Sequence, residues 1–195
     1  DVPVLSEEGE DIPYEERSNW DTYWLVDPLD GTKEFIKKNG EFSVNIALIN
    51  HFKPILGIVY APVLDTTWYG SASEGSFKIM ENGKPEKINV LKCHGDETVK
   101  VVSSRSHSNN TKLDEFLTDY PKHELVFMGS SIKICLVADG SAHIYPRLGP
   151  TMEWDTAAAH AVVKFAGGNI LDMTDRNELA YNKENLLNPA FLVNN

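Results

Sequence analysis

The sequence is poor in cysteine and contains no long apolar segment. Its 195 residues include two cysteines, Cys93 and Cys135, which stand far apart and belong to no CxxC or Cys/His cluster. They are expected to be ordinary thiols in a reducing compartment. No apolar run approaches the roughly 20 residues that span a bilayer, and the first residues lack the pattern of a signal peptide. We therefore expect a cytoplasmic protein without a transmembrane segment, and a peripheral position at the cytoplasmic face of the inner membrane stays open.

Positive charge is also scarce, since 18 Lys and Arg stand against 29 Asp and Glu, for a formal net charge of −11. A nucleic acid polymer is bound through a positive surface that releases counterions from the phosphates, so this class of partner is not expected. Small phosphates remain possible where cations screen the acids. Much of the negative excess lies near the start of the chain, at Glu7, Glu8, Glu10, Asp11, Glu15 and Glu16. These acids belong to a solvated loop or to a metal site, and for most of them the loop is the simpler interpretation.

The order of strand-like and helix-like segments predicts an α+β fold. In the first half the connections are too short for crossover helices, which favours antiparallel pairing. The strand-like runs there are Tyr23–Val26, Phe42–Ile49, Ile55–Tyr60, Thr67–Tyr69, Phe77–Met80 and Lys87–Val90. After about residue 94, strands at 100–103, 124–128, 143–145 and 191–193 alternate with helices at 111–119, 131–138 and 155–166. This rhythm is typical of an α/β arrangement, so we predict a β-rich lobe over residues 1–94 and an α/β lobe over residues 95–195.

Two carboxylates emerge from one predicted turn, whose sequence is Asp27-Pro28-Leu29-Asp30-Gly31-Thr32. We expect a strand to end at Asp27, Pro28 to turn the chain, and Gly31 to permit a tight start to a short helix over 32–37. Asp, Pro and Gly are common turn formers, so the residues could serve the turn alone. Two acids that follow a buried apolar strand would repel each other and be costly to desolvate unless a cation joined them. Magnesium prefers such oxygen ligands, and the free N–H groups at the helix start suit a phosphate.

A matching element lies in the second half, at Trp154-Asp155-Thr156-Ala157-Ala158. We expect Asp155 to cap the helix over 155–166, the alanines to favour it, and Gly167-Gly168 to end it. Its small residues would allow close packing against a neighbouring element.

Three short motifs occur in the order found in the inositol monophosphatase superfamily. The turn at 27–32 resembles the first signature of that superfamily, the segment 154–158 resembles the second, and Leu5-Ser6-Glu7-Glu8 resembles its third metal-binding segment. The resemblance extends over nearly the whole chain. It implies a layered α/β sandwich of the inositol monophosphatase and sugar phosphatase type, and a hydrolase that uses two or three Mg²⁺ ions and is sensitive to lithium.

The resemblance also implies roles for individual residues. Asp27 would bridge two metals, Glu7 and the Leu29 carbonyl would complete one site, and Asp30 and Asp155 would hold the other. Glu7 and the Thr32 hydroxyl would orient and help deprotonate the water that attacks phosphorus. Members of the superfamily carry a helical region with a further acidic residue before the third metal-binding segment, whereas this sequence begins at Asp1. We therefore expect the sequence to be a fragment or the ordered part of a longer chain.

Within the superfamily, the run from Lys33 to Phe42 resembles the CysQ-type 3'(2'),5'-bisphosphate nucleotidase branch. The segments 104–107, 129–133 and 145–147 resemble those that line the nucleotide in that branch. The resemblance implies a nucleotide-binding set made of Gly31, Thr32, His107, Ser130, Lys133, Arg147 and Asp155. Fixed cations would hold the phosphate that does not react, whereas in isolation Lys133 and Arg147 could be surface cations.

The resemblance implies the hydrolysis of adenosine 3'(2'),5'-bisphosphate to AMP and phosphate, in sulfur assimilation or nucleotide recycling. It does not decide between the 3',5' isomer, the 2',5' isomer and the phosphosulfate nucleotide. The alternatives are an inositol monophosphatase or a related sugar phosphatase, and an acidic protein that holds divalent ions without catalysis.

Overall fold

A computed structural model describes residues 2–81, 83–92, 97–105 and 111–195. Seven strands form the largest sheet, in chain order from one edge to the other. They are β1 (Val4–Ser6), β2 (Thr22–Asp30), β3 (Ser43–Asn50), β4 (Lys53–Ala61), β5 (Thr66–Ser71), β6 (Gly75–Met80) and β7 (Glu86–Ile88). Neighbouring strands from β2 to β7 are antiparallel, whereas β1 is parallel to β2. The predicted antiparallel pairing is confirmed for β2 to β7.

Two smaller sheets and five helices complete the described fold. The parallel pair is β8 (Val99–Ser103) and β9 (His123–Phe127), and the second small sheet has the order β10 (Tyr145–Arg147), β12 (Phe191–Asn194), β11 (Asn169–Asp172). The helices are α1 (Tyr14–Arg17), α2 (Thr32–Lys37), α3 (Thr111–Leu117), α4 (Ile132–Ala138) and α5 (Glu153–Phe165). The predicted α+β class is confirmed. None of the helices in the described ranges is long and apolar enough to cross a membrane.

Helix α5 packs against the large sheet over β2 to β6. Its buried face consists largely of alanine and valine, and these small side chains allow a close approach. At Gly57 of β4 an added Cβ would lie 2.1 Å from the carbonyl oxygen of Ala158, so the helix sits directly on this glycine. The main core takes residues from both halves of the chain, among them Leu25, Val59 and Val162. The sheet therefore holds α5, and with it the acidic segment at its start, in a fixed position.

The structure corrects two local predictions around the acidic segments. Strand β2 does not end at Asp27 but continues to Asp30, with an irregularity in its pairing to β3 between these two residues. Asp155 does not cap α5 from outside: the helix begins at Glu153 behind Met152, and Asp155 lies in the first turn. Its carboxylate reaches back to accept a hydrogen bond from the Met152 N–H, so the residue caps from within the helix.

Three elements were not predicted: β1, α1 and β11. The strands have three and four residues, and the helix has four, so none is long enough to show a hydrophobic period. Their positions depend on partners elsewhere in the chain. Strand β1, for example, is defined by its pairing with β2.

Candidate metal and substrate site

The pairing of β1 with β2 places Glu7 beside Asp27. Ser6 is paired with Val26 in the parallel register, and the Glu7 backbone N–H donates a hydrogen bond to the Val26 carbonyl at 3.2 Å. The residues that follow these two partners therefore lie next to each other. The side chain of Glu7 is exposed, whereas Asp27 is fully buried.

Asp27 has one satisfied and one unsatisfied carboxylate oxygen. Its Oδ1 accepts a hydrogen bond from the Leu29 N–H at 2.9 Å. Its Oδ2 is buried without a partner among the described residues. A buried carboxylate oxygen without a hydrogen bond is costly, because the water that it loses is not replaced. The position suits a cation that would take the place of that water.

Asp155 approaches the same place from the first turn of α5. Its Oδ2 accepts the Met152 N–H at 2.7 Å, which fixes the orientation of the carboxylate. Glu7, Asp27 and Asp155 each offer an oxygen, and these three atoms lie within 4.8 Å of one another. Three acids from distant parts of the sequence therefore form one cluster.

Burial and nearby charges raise the pKa values of Asp27, Asp30 and Asp155. Burial, and then the charges of Asp30 and Glu7, raise the pKa of Asp27 from 3.8 to about 8. Burial and the charge of Asp30 raise the pKa of Asp155 to about 7. Burial also raises the pKa of Asp30, against the opposing effect of Lys133. The anionic forms are disfavoured in the protein alone, and a divalent cation would favour them.

Asp30 is held at the edge of the cluster by the segment before α4. Its Oδ2 accepts the Ser131 N–H at 2.5 Å and lies 3.5 Å from the Ser43 hydroxyl. Gly31 follows in a left-handed conformation with φ of 91°, and an added Cβ would lie 3.1 Å from the Ser130 Cβ. A side chain at this position would be strained and would crowd Ser130. Glycine therefore lets β2 turn into α2 close to the segment that binds Asp30.

Asp30 and Asp155 also line a cavity of about 180 Å³ that leads away from the cluster. Of the residues predicted to bind substrate, the structure places Gly31, Ser130, Lys133, Arg147 and Asp155 in its wall. Three of the lining side chains are cationic, namely Lys33, Lys133 and Arg147. The cavity wall thus combines three acids, Asp30, Glu34 and Asp155, with these three cations.

Lys133 and Arg147 differ in how they are held. Lys133 is buried, and its ammonium group donates to the Ser130 carbonyl at 2.5 Å. Burial lowers the pKa of Lys133 to about 8, against the opposing charge of Asp30. Arg147 donates through Nη2 to the Pro150 carbonyl at 2.9 Å, while its Nε is buried without a partner in the described chain. Both side chains keep donors that a bound anion could use.

Three other predicted site residues do not line the cavity or lie outside the described part of the chain. Leu29 follows the cluster on β2, and its N–H binds Asp27. Thr32 is exposed at the start of α2 and is not among the residues that line the cavity. His107 lies outside the described residues.

Sequence reasoning missed the hydroxyl and amide groups that support Asp30. The Ser131 hydroxyl donates to Asn45 Oδ1 at 2.8 Å, and the Ser43 and Ser131 hydroxyls lie 2.9 Å apart. Ser43 and Asn45 occupy buried positions of β3, in the same alternating series as Ala47 and Ile49. The alternation of a strand predicts apolar residues at these positions. A polar residue there was the signal that could have revealed the support of Asp30.

The donor set fits magnesium. The cluster offers carboxylate oxygens, which a hard divalent cation prefers, and within the described ranges it includes no cysteine or histidine. Asp27 Oδ2, which has no partner among the described residues, is the atom that such a cation would satisfy. Glu7, Asp27 and Asp155 are therefore the residues that would hold it; Asp30, also predicted as a ligand, lies outside this group of three and binds the Ser131 N–H.

Comparison with known proteins agrees with this geometry. A model of the inositol monophosphatase family matches residues 1–194. The chain belongs to the inositol monophosphatase family. The structure of CysQ from Bacteroides thetaiotaomicron, described as a bacterial member of this family, matches with a TM-score of 0.91 and 43% identity over 99% of this chain and 76% of that chain. An inositol monophosphatase (IMPase) of Thermotoga maritima matches with a TM-score of 0.77 and 26% identity, over 100% of this chain and 70% of that chain. The predicted inositol monophosphatase fold is thereby confirmed.

Curated relatives within the family carry one common name. The 3'(2'),5'-bisphosphate nucleotidase CysQ of Escherichia coli K12 is 52% identical over 195 residues, which is 99% of this chain and 76% of the relative. The protein of the same name from Haemophilus influenzae is 39% identical over 98% of this chain and 71% of the relative. The predicted resemblance to the bisphosphate nucleotidase branch is confirmed.

Proposed function

We propose that this chain is a Mg²⁺-dependent phosphatase that hydrolyses adenosine 3'(2'),5'-bisphosphate to AMP and phosphate. The observation that carries the proposal is the cluster of Glu7, Asp27 and Asp155, whose ligand oxygens lie within 4.8 Å of one another. The substrate class is supported by the relatives named 3'(2'),5'-bisphosphate nucleotidase. Sulfur assimilation or nucleotide recycling in the cytoplasm is the setting that this activity would serve.

The acidic part of the site would bind the phosphate that reacts. Bound Mg²⁺ would neutralise charge on the phosphoryl group and make water a better nucleophile. Glu7, Asp27, Asp30 and Asp155 would hold the ions, together with the Leu29 carbonyl. The exposed carboxylate of Glu7 would accept a proton from the attacking water.

Groups at the start of α2 would orient the reactants. The Thr32 hydroxyl would accept a hydrogen bond from the attacking water and orient it, while the proton would pass to the Glu7 carboxylate. The first N–H groups of a helix have no partner within it, so the backbone of Gly31 and Thr32 can donate to the oxygens of the phosphate. The left-handed conformation of Gly31 gives the chain the turn that this arrangement requires.

The cations of the cavity would bind the phosphate that does not react. Lys133 and Arg147 line the same cavity as Asp30 and Asp155, so one molecule with two phosphates could contact both groups. Ser130, which lines the same cavity, would donate its hydroxyl to the same phosphate. His107 is proposed to lie beside the adenosine. An inositol monophosphate has only one phosphate and would leave these cations without a partner.

The proposal is tested by phosphate release from a panel of substrates, with Mg²⁺ and with a chelator. The panel contains adenosine 3',5'-bisphosphate, its 2',5' isomer, the phosphosulfate nucleotide, 3'-AMP and inositol 1-phosphate. We expect the bisphosphates to be hydrolysed with the highest kcat/KM. Preferred hydrolysis of inositol 1-phosphate would instead establish the alternative activity, and metal binding without hydrolysis of any of these esters would leave a binding protein.

The same panel tests the proposed phosphate contacts, because 3'-AMP lacks the 5'-phosphate. Lys133→Gln and Arg147→Gln should each lower kcat/KM for adenosine 3',5'-bisphosphate about ten- to a hundredfold, as expected for a lost charge-assisted contact of about 1.5–3 kcal/mol. They should change 3'-AMP hydrolysis much less. Lys37→Gln is the control, since Lys37 is exposed on α2 and does not line the cavity. Equal losses on both substrates would show that the two cations support the fold or the metal site.

A further inference from the structure

The segment over residues 182–188 encloses the residues that precede Asp155. The Asn188 N–H donates to the Thr151 carbonyl at 2.8 Å, and the Glu153 N–H donates to the Leu186 carbonyl at 3.0 Å. The Asn188 side chain is buried. Its amide nitrogen lies 2.9 Å from the Met152 carbonyl and 3.1 Å from the Thr156 hydroxyl. Both peptide carbonyls before α5 are therefore bound by one residue.

The Asn188 backbone N–H is linked to Asp155 by a single peptide group, the one between Thr151 and Met152. A trans peptide is planar, so its C=O and N–H point in opposite directions. The peptide between Thr151 and Met152 accepts the Asn188 N–H at its carbonyl and donates its own N–H to Asp155 Oδ2 at 2.7 Å. The Asn188 side chain binds the other side of Met152, at its carbonyl, so Asn188 holds the residue whose N–H binds the Asp155 carboxylate from both sides.

A second contact binds the same two segments from the opposite side. Glu153 is fully buried, and its carboxylate accepts the N–H groups of Asn182 at 2.6 Å and Lys183 at 3.0 Å. The Lys183 ammonium group donates to Glu153 at 2.6 Å and to Asn188 Oδ1 at 3.2 Å. Lys183 thus joins both contacts, and the oxygen of the Asn188 amide is satisfied together with its nitrogen.

We propose that Asn188 is a positioning residue for the metal site, whose side chain acts on Asp155 by holding the Met152 carbonyl and the Thr156 hydroxyl. This role rests on the metal site of the proposed function but not on the identity of the substrate. Asn188 is itself neither a member of the acidic cluster nor a lining residue of the cavity, so it would act on the geometry of the site through the residues to which it is hydrogen-bonded. Loss of a residue that orients a metal ligand typically weakens metal binding by about ten- to a hundredfold.

The test measures Mn²⁺ affinity by electron paramagnetic resonance, with no substrate present. Asn188→Ala should raise the Mn²⁺ dissociation constant about tenfold or more, and Asn188→Asp, which keeps the acceptor for Lys183 but loses the side-chain donors, should do the same. Ser76→Ala is the matched control, since the buried Ser76 hydroxyl donates to the Val162 carbonyl in the later part of α5 at 2.7 Å. It should leave the Mn²⁺ dissociation constant unchanged within about twofold. Equal effects from Asn188→Ala and Ser76→Ala, or no effect from either Asn188 variant, would overturn the proposal.

A second measurement uses the wild-type protein and does not depend on the folding of a variant. Coupling between two sites is reciprocal, so saturating Mg²⁺ should slow hydrogen exchange at the amides of Met152 and Asn188 more than at the amides of β6. Exchange that slows equally at both places, or not at all, would overturn the proposal. The two proposals fail separately: a wild-type protein that binds no Mn²⁺ removes the metal site itself, whereas normal Mn²⁺ binding with hydrolysis of another ester contradicts only the proposed substrate.

Discussion

Replacement of Asp27 by asparagine should remove activity and change how the stability of the metal-free protein depends on pH. Burial, with the charges of Asp30 and Glu7, raises the pKa of Asp27 from 3.8 to about 8. Between these values the native protein holds a proton that the unfolded chain has released, so the free energy of unfolding falls as the pH rises. The stabilisation from the bound proton is complete below pH 3.8, the pKa of Asp27 in the unfolded chain, and is lost above about pH 8, its pKa in the folded protein. At about 1.4 kcal/mol per pH unit, the total loss is on the order of 5 kcal/mol.

The amide side chain introduced by Asp27→Asn would be neutral at every pH. It would still accept the Leu29 N–H through its oxygen, but it would place a nitrogen where Asp27 Oδ2 has no partner among the described residues. An unsatisfied buried donor costs about 1–3 kcal/mol. Without metal, Asp27→Asn should therefore be less stable than wild type at pH 4 and more stable at pH 8.5. Saturating Mg²⁺ should raise the stability of wild type at pH 8.5 by about 2.7 kcal/mol at a hundred times its Kd and that of Asp27→Asn by much less, so the advantage of the variant should shrink.

The assay is urea unfolding in the presence of chelator at pH 4 and pH 8.5, repeated at pH 8.5 with Mg²⁺. Asp21→Asn is the control, because the Asp21 side chain is 83% exposed and should show no crossing of the stability curves. The phosphatase activity of Asp27→Asn should be at least a hundredfold below wild type, since the loss of a residue that merely orients a metal ligand already costs about ten- to a hundredfold. A constant stability difference between Asp27→Asn and wild type at both pH values would refute the electrostatic reasoning, and near-normal turnover would remove Asp27 from the metal site.

Three further predictions concern the metal, the packing of α5 and the partly buried carboxylate of Glu178. Hydrolysis should stop in excess chelator, return with Mg²⁺ and be inhibited by Li⁺; full activity in chelator would contradict the proposed metal centre. Gly57→Ala should lower the free energy of unfolding by about 1–3 kcal/mol or more, because the added methyl would meet the Ala158 carbonyl, and an unchanged urea midpoint would show that α5 can move. Hydrogen bonds from His160 and Lys164 lower the pKa of Glu178 from 4.5 to about 2, so its stabilisation is present above pH 4.5 and is lost as the pH falls towards 2. The urea midpoint of Glu178→Gln should therefore lie below that of wild type at pH 6 and approach it at pH 2.5, whereas a pH-independent difference would contradict this assignment.

Much of the fold could be predicted because its elements are marked locally. Helix α2 begins and ends where the turn chemistry placed it, at Thr32 and Lys37. Helix α5 ends before Gly167, whose φ of 94° is left-handed, as expected for a glycine that stops a helix. The start of α5 was placed two residues late, because an acid in the first turn can hold the N-cap backbone from inside the helix as well as from outside.

The site was predictable only where a motif marked it. Short signature motifs mark the carboxylates at 27, 30 and 155. The distances between these carboxylates depend on strand pairing and helix packing, which their separation in the sequence does not predict. Glu7 reaches Asp27 through a three-residue strand, β1, that has no period of its own. Asn188 and Glu153 were missed for a related reason. Each binds backbone groups of a distant segment, and every residue carries the same backbone groups, so the sequence does not mark the partner.

The charges of the site favour a substrate with two phosphates. The four proposed ligands, Glu7, Asp27, Asp30 and Asp155, carry four negative charges when ionised, and two Mg²⁺ ions would neutralise them. The phosphate that reacts would then meet an acidic group with little net charge, held by the ions and by the N–H groups of α2. The cations Lys133 and Arg147 line the same cavity, and Lys133 faces the charge of Asp30. If Mg²⁺ takes up the charge of Asp30, a second phosphate that reaches these two cations would gain a charge-assisted interaction that a monophosphate cannot make.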